Sequence, residues 1–169
     1  IETSPELAVT YINLGNAYRN DSQYDKALNT FEKAIKLNPL DPRAYNGSGL
    51  VYQSLNKEHD AIISYEKAYE LEPEYPEALN NLAVSLQNLG KYHEAIKVYK
   101  KLIEKHPEKA QIYFNLGTLL QLYGRHDESV IAFRKALEKD PIKTLENLKR
   151  FELLVISNPK NAFSKEENT

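Results

Sequence analysis

The stretch from Ala8 to Asp41 reads AVTYINLGNAYRNDSQYDKALNTFEKAIKLNPLD, and its proline, Pro39, recurs as Pro73, Pro107 and Pro141, each 34 residues after the last. Four further series keep the same register: Gly15, Gly49, Ala83, Gly117; Ala27, Ala61, Ala95, Ser129; Phe31, Tyr65, Tyr99, Phe133; and Ala34, Ala68, Leu102, Ala136. A fixed period of this length is the mark of stacked copies of one small unit. Within the unit, Tyr11, Leu14 and Tyr18 stand at helical spacing around Gly15, and polar residues Asn20 to Gln23 interrupt. A second apolar series follows at Ala27, Leu28, Phe31, Ala34 and Ile35, and Asn38-Pro39 ends it. Each unit therefore reads as helix–turn–helix. Small residues at the Gly15 and Ala27 positions allow the helices to cross closely, and the aromatics fill the space between neighbouring pairs. Proline closes each unit because it disfavours helix at the residue before it and has no amide hydrogen.

Bulk properties fit an ordinary globular chain. Charged residues make up 27% and hydrophobic ones 41%, and a net charge of -2 with a pI near 6.1 speaks against a nucleic-acid partner. No run of 18 or more apolar residues is present, so membrane insertion is not expected. No segment reads as a signal peptide, and the expected location is the cytoplasm. Cysteine is absent, which removes disulfides, thiol catalysis and thiolate metal sites. Methionine is absent even at position 1, and the chain reads as a piece of a longer protein.

These residues resemble the tetratricopeptide repeat. Its pattern of large aromatic, Leu, Gly, Tyr, Ala, Phe and Pro is met by Tyr11, Leu14, Gly15, Tyr18, Ala27, Phe31 and Pro39. The later units follow with Tyr45-Ser48-Gly49-Tyr52-Ala61-Tyr65-Pro73, Leu79-Leu82-Ala83-Leu86-Ala95-Tyr99-Pro107 and Tyr113-Leu116-Gly117-Leu120-Ser129-Phe133-Pro141. Departures are Ser48 for Leu, Leu102 for a small residue and Ser129 for Ala. Leu102 stands at a close-packing position, where overpacking costs about 1–3 kcal/mol unless neighbours yield, so slight splaying of the third unit is expected. The resemblance implies an all-α chain, a right-handed α-solenoid of helix–turn–helix repeats. The expected division is an N-terminal helix extension at 1–7, repeats at 8–41, 42–75, 76–109 and 110–143, a capping helix at 144–157 and a disordered tail at 158–169. Ser4 is the expected N-cap of the first helix. Leu145, Leu148, Phe151, Leu154 and Val155 share the face expected to cover the last repeat.

Chemistry of the catalytic kind finds little support. His59 and His93 hold equivalent positions, His126 lies one earlier, and His106 precedes a proline; no histidine pair has the i, i+4 spacing of a helical metal site. The glycines are scattered, and Gly47-Ser48-Gly49 falls inside a helix by register rather than in a phosphate loop. The basic stretch Lys97, Lys100, Lys101, Lys105, His106, Lys109 is interleaved with Glu94, Glu104 and Glu108 and reads as a solvated face. No enzyme, metal or cofactor is expected.

In the family, a concave surface lined by the first helix of each unit receives a peptide, and the resemblance carries that role onto particular residues here. Asn13, Asn81 and Asn115 hold one equivalent position, interrupted by Gly47. Beside them stand Asn16, Asn46, Asn80 and the row Gln53, Gln87, Gln121, with apolar Ile12, Leu50, Val84 and Phe114, and charged Arg19, Arg43 and Glu77. An amide side chain both donates and accepts, so a row of them suits the backbone of a mostly uncharged segment. The row is similar to the asparagine ladder of the O-linked N-acetylglucosamine transferase repeats. Chaperone-binding members instead use a clamp of Lys, Asn, Asn, Lys, Arg to grip a C-terminal carboxylate. The matching residues are Ile12, Asn16, Gly47, Glu77, Asn81 in one frame and Asn46, Leu50, Asn81, Gln111, Asn115 in the next. Neither frame supplies the cations, which speaks against chaperone tails. The expected function is a non-catalytic protein–protein interaction scaffold. The alternatives are an assembly module self-associating through 144–157, or the targeting arm of an enzyme whose catalytic domain lies outside this chain.

Overall fold

A computed structural model describes the backbone of residues 4–157 and the side chains of residues 4–151. The tail expected at 158–169, and the side chains of Leu154 and Val155, lie outside the described residues. Among the described residues the chain is all-α, with no strand: α1 (Pro5–Asn20), α2 (Tyr24–Leu37), α3 (Pro42–Ser54), α4 (Glu58–Leu71), α5 (Pro76–Asn88), α6 (Tyr92–Lys105), α7 (Ala110–Leu122), α8 (His126–Lys139) and α9 (Pro141–Ser157). The chain divides into two compact units, Ile1–Val98 and Tyr99–Thr169, with α6 running from one into the other.

In the first unit, α1 pairs with α2 and α3 with α4, and α1, α3 and α5 adjoin in succession. The hairpins close on glycine. A Cβ on Gly15 would lie 2.8 Å from Cε1 of Phe31, and one on Gly49 would lie 2.5 Å from Cε1 of Tyr65. Both rings are fully buried. Burying such a ring removes roughly 150–250 Å² from water, or roughly 4–6 kcal/mol of gross transfer energy. A net hydrogen bond contributes only about 1 kcal/mol. Rings, rather than polar bridges, therefore hold the hairpins together.

The turns that follow α1, α3, α5 and α7 share one geometry. Ser22, Asn56, Gly90 and Gly124, again 34 apart, all have positive φ, at 57°, 56°, 73° and 77°. In each, the next residue's amide reaches back over the turn: Gln23 to the Tyr18 carbonyl, Lys57 to Tyr52, Lys91 to Leu86 and Arg125 to Leu120, at 2.8–2.9 Å. This left-handed cap satisfies carbonyls that a helix end would otherwise leave open. At the starts, Ser4 sits at the N-cap of α1 but makes no side-chain cap hydrogen bond. Asp41 does cap α3, accepting from the Arg43 amide at 3.0 Å.

In the second unit, α7 pairs with α8, and α9 packs on both. A Cβ on Gly117 would lie 2.7 Å from Cδ1 of Phe133. Ser129, at the position where other repeats have alanine, is fully buried and donates to the Gly117 carbonyl at 2.9 Å. Leu102 is fully buried. The repeat register would start α9 near residue 144, but it starts at Pro141, with Asp140 accepting from the Lys143 amide at 3.0 Å. Only Asp140 separates α8 from α9, where four residues lie between the helices at 38–41, 72–75 and 106–109, and Pro141 suits the first helical turn. Leu145, expected on the packed face, is 51% exposed. Thr144 is 2% exposed instead and donates to the Ala136 carbonyl at 3.1 Å. Phe151 reaches Phe133, with ring centroids 6.4 Å apart.

Candidate peptide-binding face

The first helices carry the amide row, and the structure sorts its members by depth. Asn13, Asn16, Asn46, Leu50, Gln53, Asn80, Asn81, Val84 and Gln87 lie on α1, α3 and α5 of the first unit; Phe114, Asn115 and Gln121 lie on α7 of the second. The series Ile12, Asn46, Asn80, Phe114 leans inward: Ile12 and Asn46 are buried, Asn80 and Phe114 half-buried. Phe114 stacks at a tilt on Phe133, centroids 5.5 Å apart, so its ring serves its own hairpin. Asn13 is exposed, while Asn81 and Asn115 are half-buried at the equivalent position. Asn16, Leu50 and Val84 form a half-buried row, as do Gln53, Gln87 and Gln121.

Several of these amides already serve the fold. Asn81 donates Nδ2 to Oδ1 of Asn46 at 3.0 Å, and Asn46 donates its own Nδ2 to the Tyr75 hydroxyl at 3.2 Å. Burial and the nearby Glu77 and Glu72 push the Tyr75 phenol above its ordinary pKa. Gln53 donates to Oγ of buried Ser85 at 3.4 Å and accepts from the Tyr65 hydroxyl at 3.3 Å. Burial drives the Tyr65 phenol far up, so it stays a neutral donor. On α7, Gln111 donates to Oδ1 of Asn115 at 2.9 Å, and Asn147 of α9 donates to Gln111 at 3.3 Å. Gln121 lies 3.2 Å from Nδ1 of His126. Tyr75, Ser85 and Tyr65 were not foreseen as part of this face. Their only signal is a polar atom facing another one hairpin away, which no local pattern displays.

The charges on the face are engaged or sparse. Arg43 grips Asp41 with Nε at 2.9 Å and a terminal nitrogen at 2.6 Å. These bonds hold the Asp41 carboxyl below the ordinary aspartate range and raise the guanidinium further. His59, His93 and His126 are exposed, as are Lys97, Lys100, Lys101, Lys105 and Lys109. Among the described residues, no group of three or more His, Cys, Asp and Glu side chains is placed to hold a metal ion. No helix among them is long and apolar enough to cross a membrane.

Family models described as tetratricopeptide repeat match residues 74–141 and 42–75, and one described as TPR repeat matches residues 15–56. The chain belongs to the tetratricopeptide repeat family. No curated protein matches it significantly. Among solved structures, the tetratricopeptide chain is similar to a crystal structure of MamA, at 27% identity over 80% of each chain, with a TM-score of 0.73. MamA from Desulfovibrio magneticus RS-1 covers 92% of this chain and 89% of its own at 20% identity, TM-score 0.71. The first TPR of Spaghetti (RPAP3), bound to the HSP90 peptide SRMEEVD, covers 73% of this chain and 98% of its own at 23% identity, TM-score 0.68. Those last two likenesses establish the tetratricopeptide fold alone.

Proposed function

We propose that this chain is a protein–protein interaction scaffold whose first helices hold a mostly uncharged peptide segment of a partner. One observation carries the reading. In the first unit, α1 presents an exposed amide at Asn13 and α5 a half-buried one at Asn81, flanked by the half-buried apolar row of Leu50 and Val84. Asn115 repeats the amide on α7. Such a surface offers donors and acceptors to a backbone and a mild apolar floor to its side chains. The locked Arg43 leaves little free charge to select a charged segment. The absence of cations at the clamp positions argues against chaperone tails, although a structure of the same fold was solved with such a peptide.

The test is a pulldown with the chain as bait and mass spectrometry as readout, repeated with Asn13→Ala plus Asn115→Ala. Loss of two hydrogen bonds should weaken a groove partner by about 1–3 kcal/mol, with circular dichroism unchanged. Partners recovered equally by both baits would sink the groove reading.

A second reading has its own observation. Ile142 and Leu145 of α9 are 75% and 51% exposed, and Val130 and Ile131 of α8 are 54% and 56% exposed. Apolar side chains left open at an array's end favour self-association through that helix. Light scattering over a concentration series decides it. A strict monomer excludes this reading, and a dimer dispersed by Ile142→Lys supports it.

A further inference from the structure

Positions 14, 48, 82 and 116 carry Leu14, Ser48, Leu82 and Leu116. Leu82 and Leu116 are 6% and 8% exposed, so this position is buried on both α5 and α7. Serine puts no apolar branch there. Its hydroxyl turns back on its own helix and donates to the Ala44 carbonyl at 3.1 Å. Beside it lies a cavity of about 650 Å³, large enough for a bulky side chain. Leu28 and Ile35 of α2 form one wall, Tyr45 and Tyr52 of α3 the floor, and Ile63 of α4 the other wall. Ile63 is 65% exposed, an apolar edge open to solvent. Tyr45 is held in place by donating to the Pro39 carbonyl at 3.2 Å.

The rim is acidic. Glu32, Glu66 and Glu70 line it against the single ammonium of Lys67. Lys67 pairs with Glu70 at 3.0 Å, and Lys36, outside the lining, pairs with Glu32 at 2.6 Å. Even with both cations counted, carboxylates remain in excess. The Tyr45 and Tyr52 rings add faces that attract cations. We propose that this cavity is a second docking site, for a partner segment carrying a bulky apolar side chain flanked by lysine or arginine. Second helices α2 and α4 form its walls, so it is distinct from the amide row on the first helices. The serine is what makes it: a leucine at residue 48, as in the other repeats, would project into the space.

Fluorescence anisotropy with labelled synthetic peptides tests this. Lys-Lys-Phe-Leu-Lys-Lys should bind saturably, while Glu-Glu-Phe-Leu-Glu-Glu and Lys-Lys-Gly-Ser-Lys-Lys should not. Ser48→Leu should weaken the first peptide by roughly tenfold or more, the scale of one well-placed apolar group. Should Ser48→Leu fail to fold, Glu66→Lys with Glu70→Lys decides instead, with the same loss expected on an intact helical spectrum. Asn13→Ala plus Asn115→Ala should bind the basic peptide as the unsubstituted chain does, which separates this site from the proposed groove. Equal binding of the acidic peptide, no binding of the basic one, undiminished binding in a folded Ser48→Leu variant, or loss in the asparagine variant would each overturn the proposal.

Discussion

The ring of Phe31 occupies the place a Cβ on Gly47 would take. Phe31 belongs to α2 and also lies against Gly15 of α1, so one buried ring is wedged between the first helices of two hairpins. At residue 47, where the series of Asn13, Asn81 and Asn115 breaks, any side chain would have to displace this ring.

Gly47→Ala should therefore destabilise the chain. Helix propensity alone would favour alanine by about 0.5–1 kcal/mol, but forcing a methyl into the ring should cost about 1–3 kcal/mol. Urea unfolding measures the net loss. Adding Phe31→Leu should recover part of it, and purely additive effects would refute the wedge.

The left-handed turns permit a paired comparison. Nothing lies within 4 Å of a Cβ built on Gly124, whose φ is 77°, so Gly124→Ala changes conformation without a clash. It should cost about 1–2 kcal/mol. Ser22→Gly, at the equivalent turn with φ of 57°, should gain about 0.5–1 kcal/mol once backbone entropy is counted. Thermal midpoints that move the same way in both variants would contradict this account.

Asn13 and Asn81 share a series but not an energetic role. Asn81→Ala removes the donor to buried Asn46 and should cost about 1–3 kcal/mol. Asn13→Ala, at an exposed position, should stay within about 0.5 kcal/mol. Chemical denaturation of the two single variants tells them apart.

Acid should act in part through Asp41. Its folded pKa lies below the ordinary value of 3.8, first through the Arg43 hydrogen bonds. Its ion pair thus contributes stability above that value and loses it as pH falls through the lower, folded one. Asp41→Asn keeps a cap-competent side chain but cannot titrate. It should be less stable than the unsubstituted chain at neutral pH, with the gap closing under acid. Urea midpoints from pH 7 to pH 2 (a range set by ordinary carboxylate titration) supply the test, and a constant gap would disprove it.

Much of the architecture was legible along the chain. The proline series, the Gly15-type positions and the aromatic series point to helix–turn–helix units, and the described residues are helical throughout with short turns between. The same spacing misplaced the onset of α9, because Pro141 there opens a helix rather than closing a loop. It also chose Leu145 over Thr144 for the packed face, since a buried threonine is marked only by its bond to Ala136, eight residues back. The amide row was visible as composition, but its depth was not. Ser48 stood out as a departure, yet nothing in the pattern said that it borders a cavity.

The sequence alone determined where the backbone turns and stops, because proline, positive-φ positions and apolar spacing act within a few residues of themselves. The tertiary structure decided which polar atoms are already spent and where space is left over. The Asn46–Tyr75, Gln53–Ser85 and Asn46–Asn81 bonds join residues 29, 32 and 35 apart. Such partners meet only after one hairpin has stacked on the next, when aromatic burial fixes the distance between helices and the polar side chains take what that spacing allows.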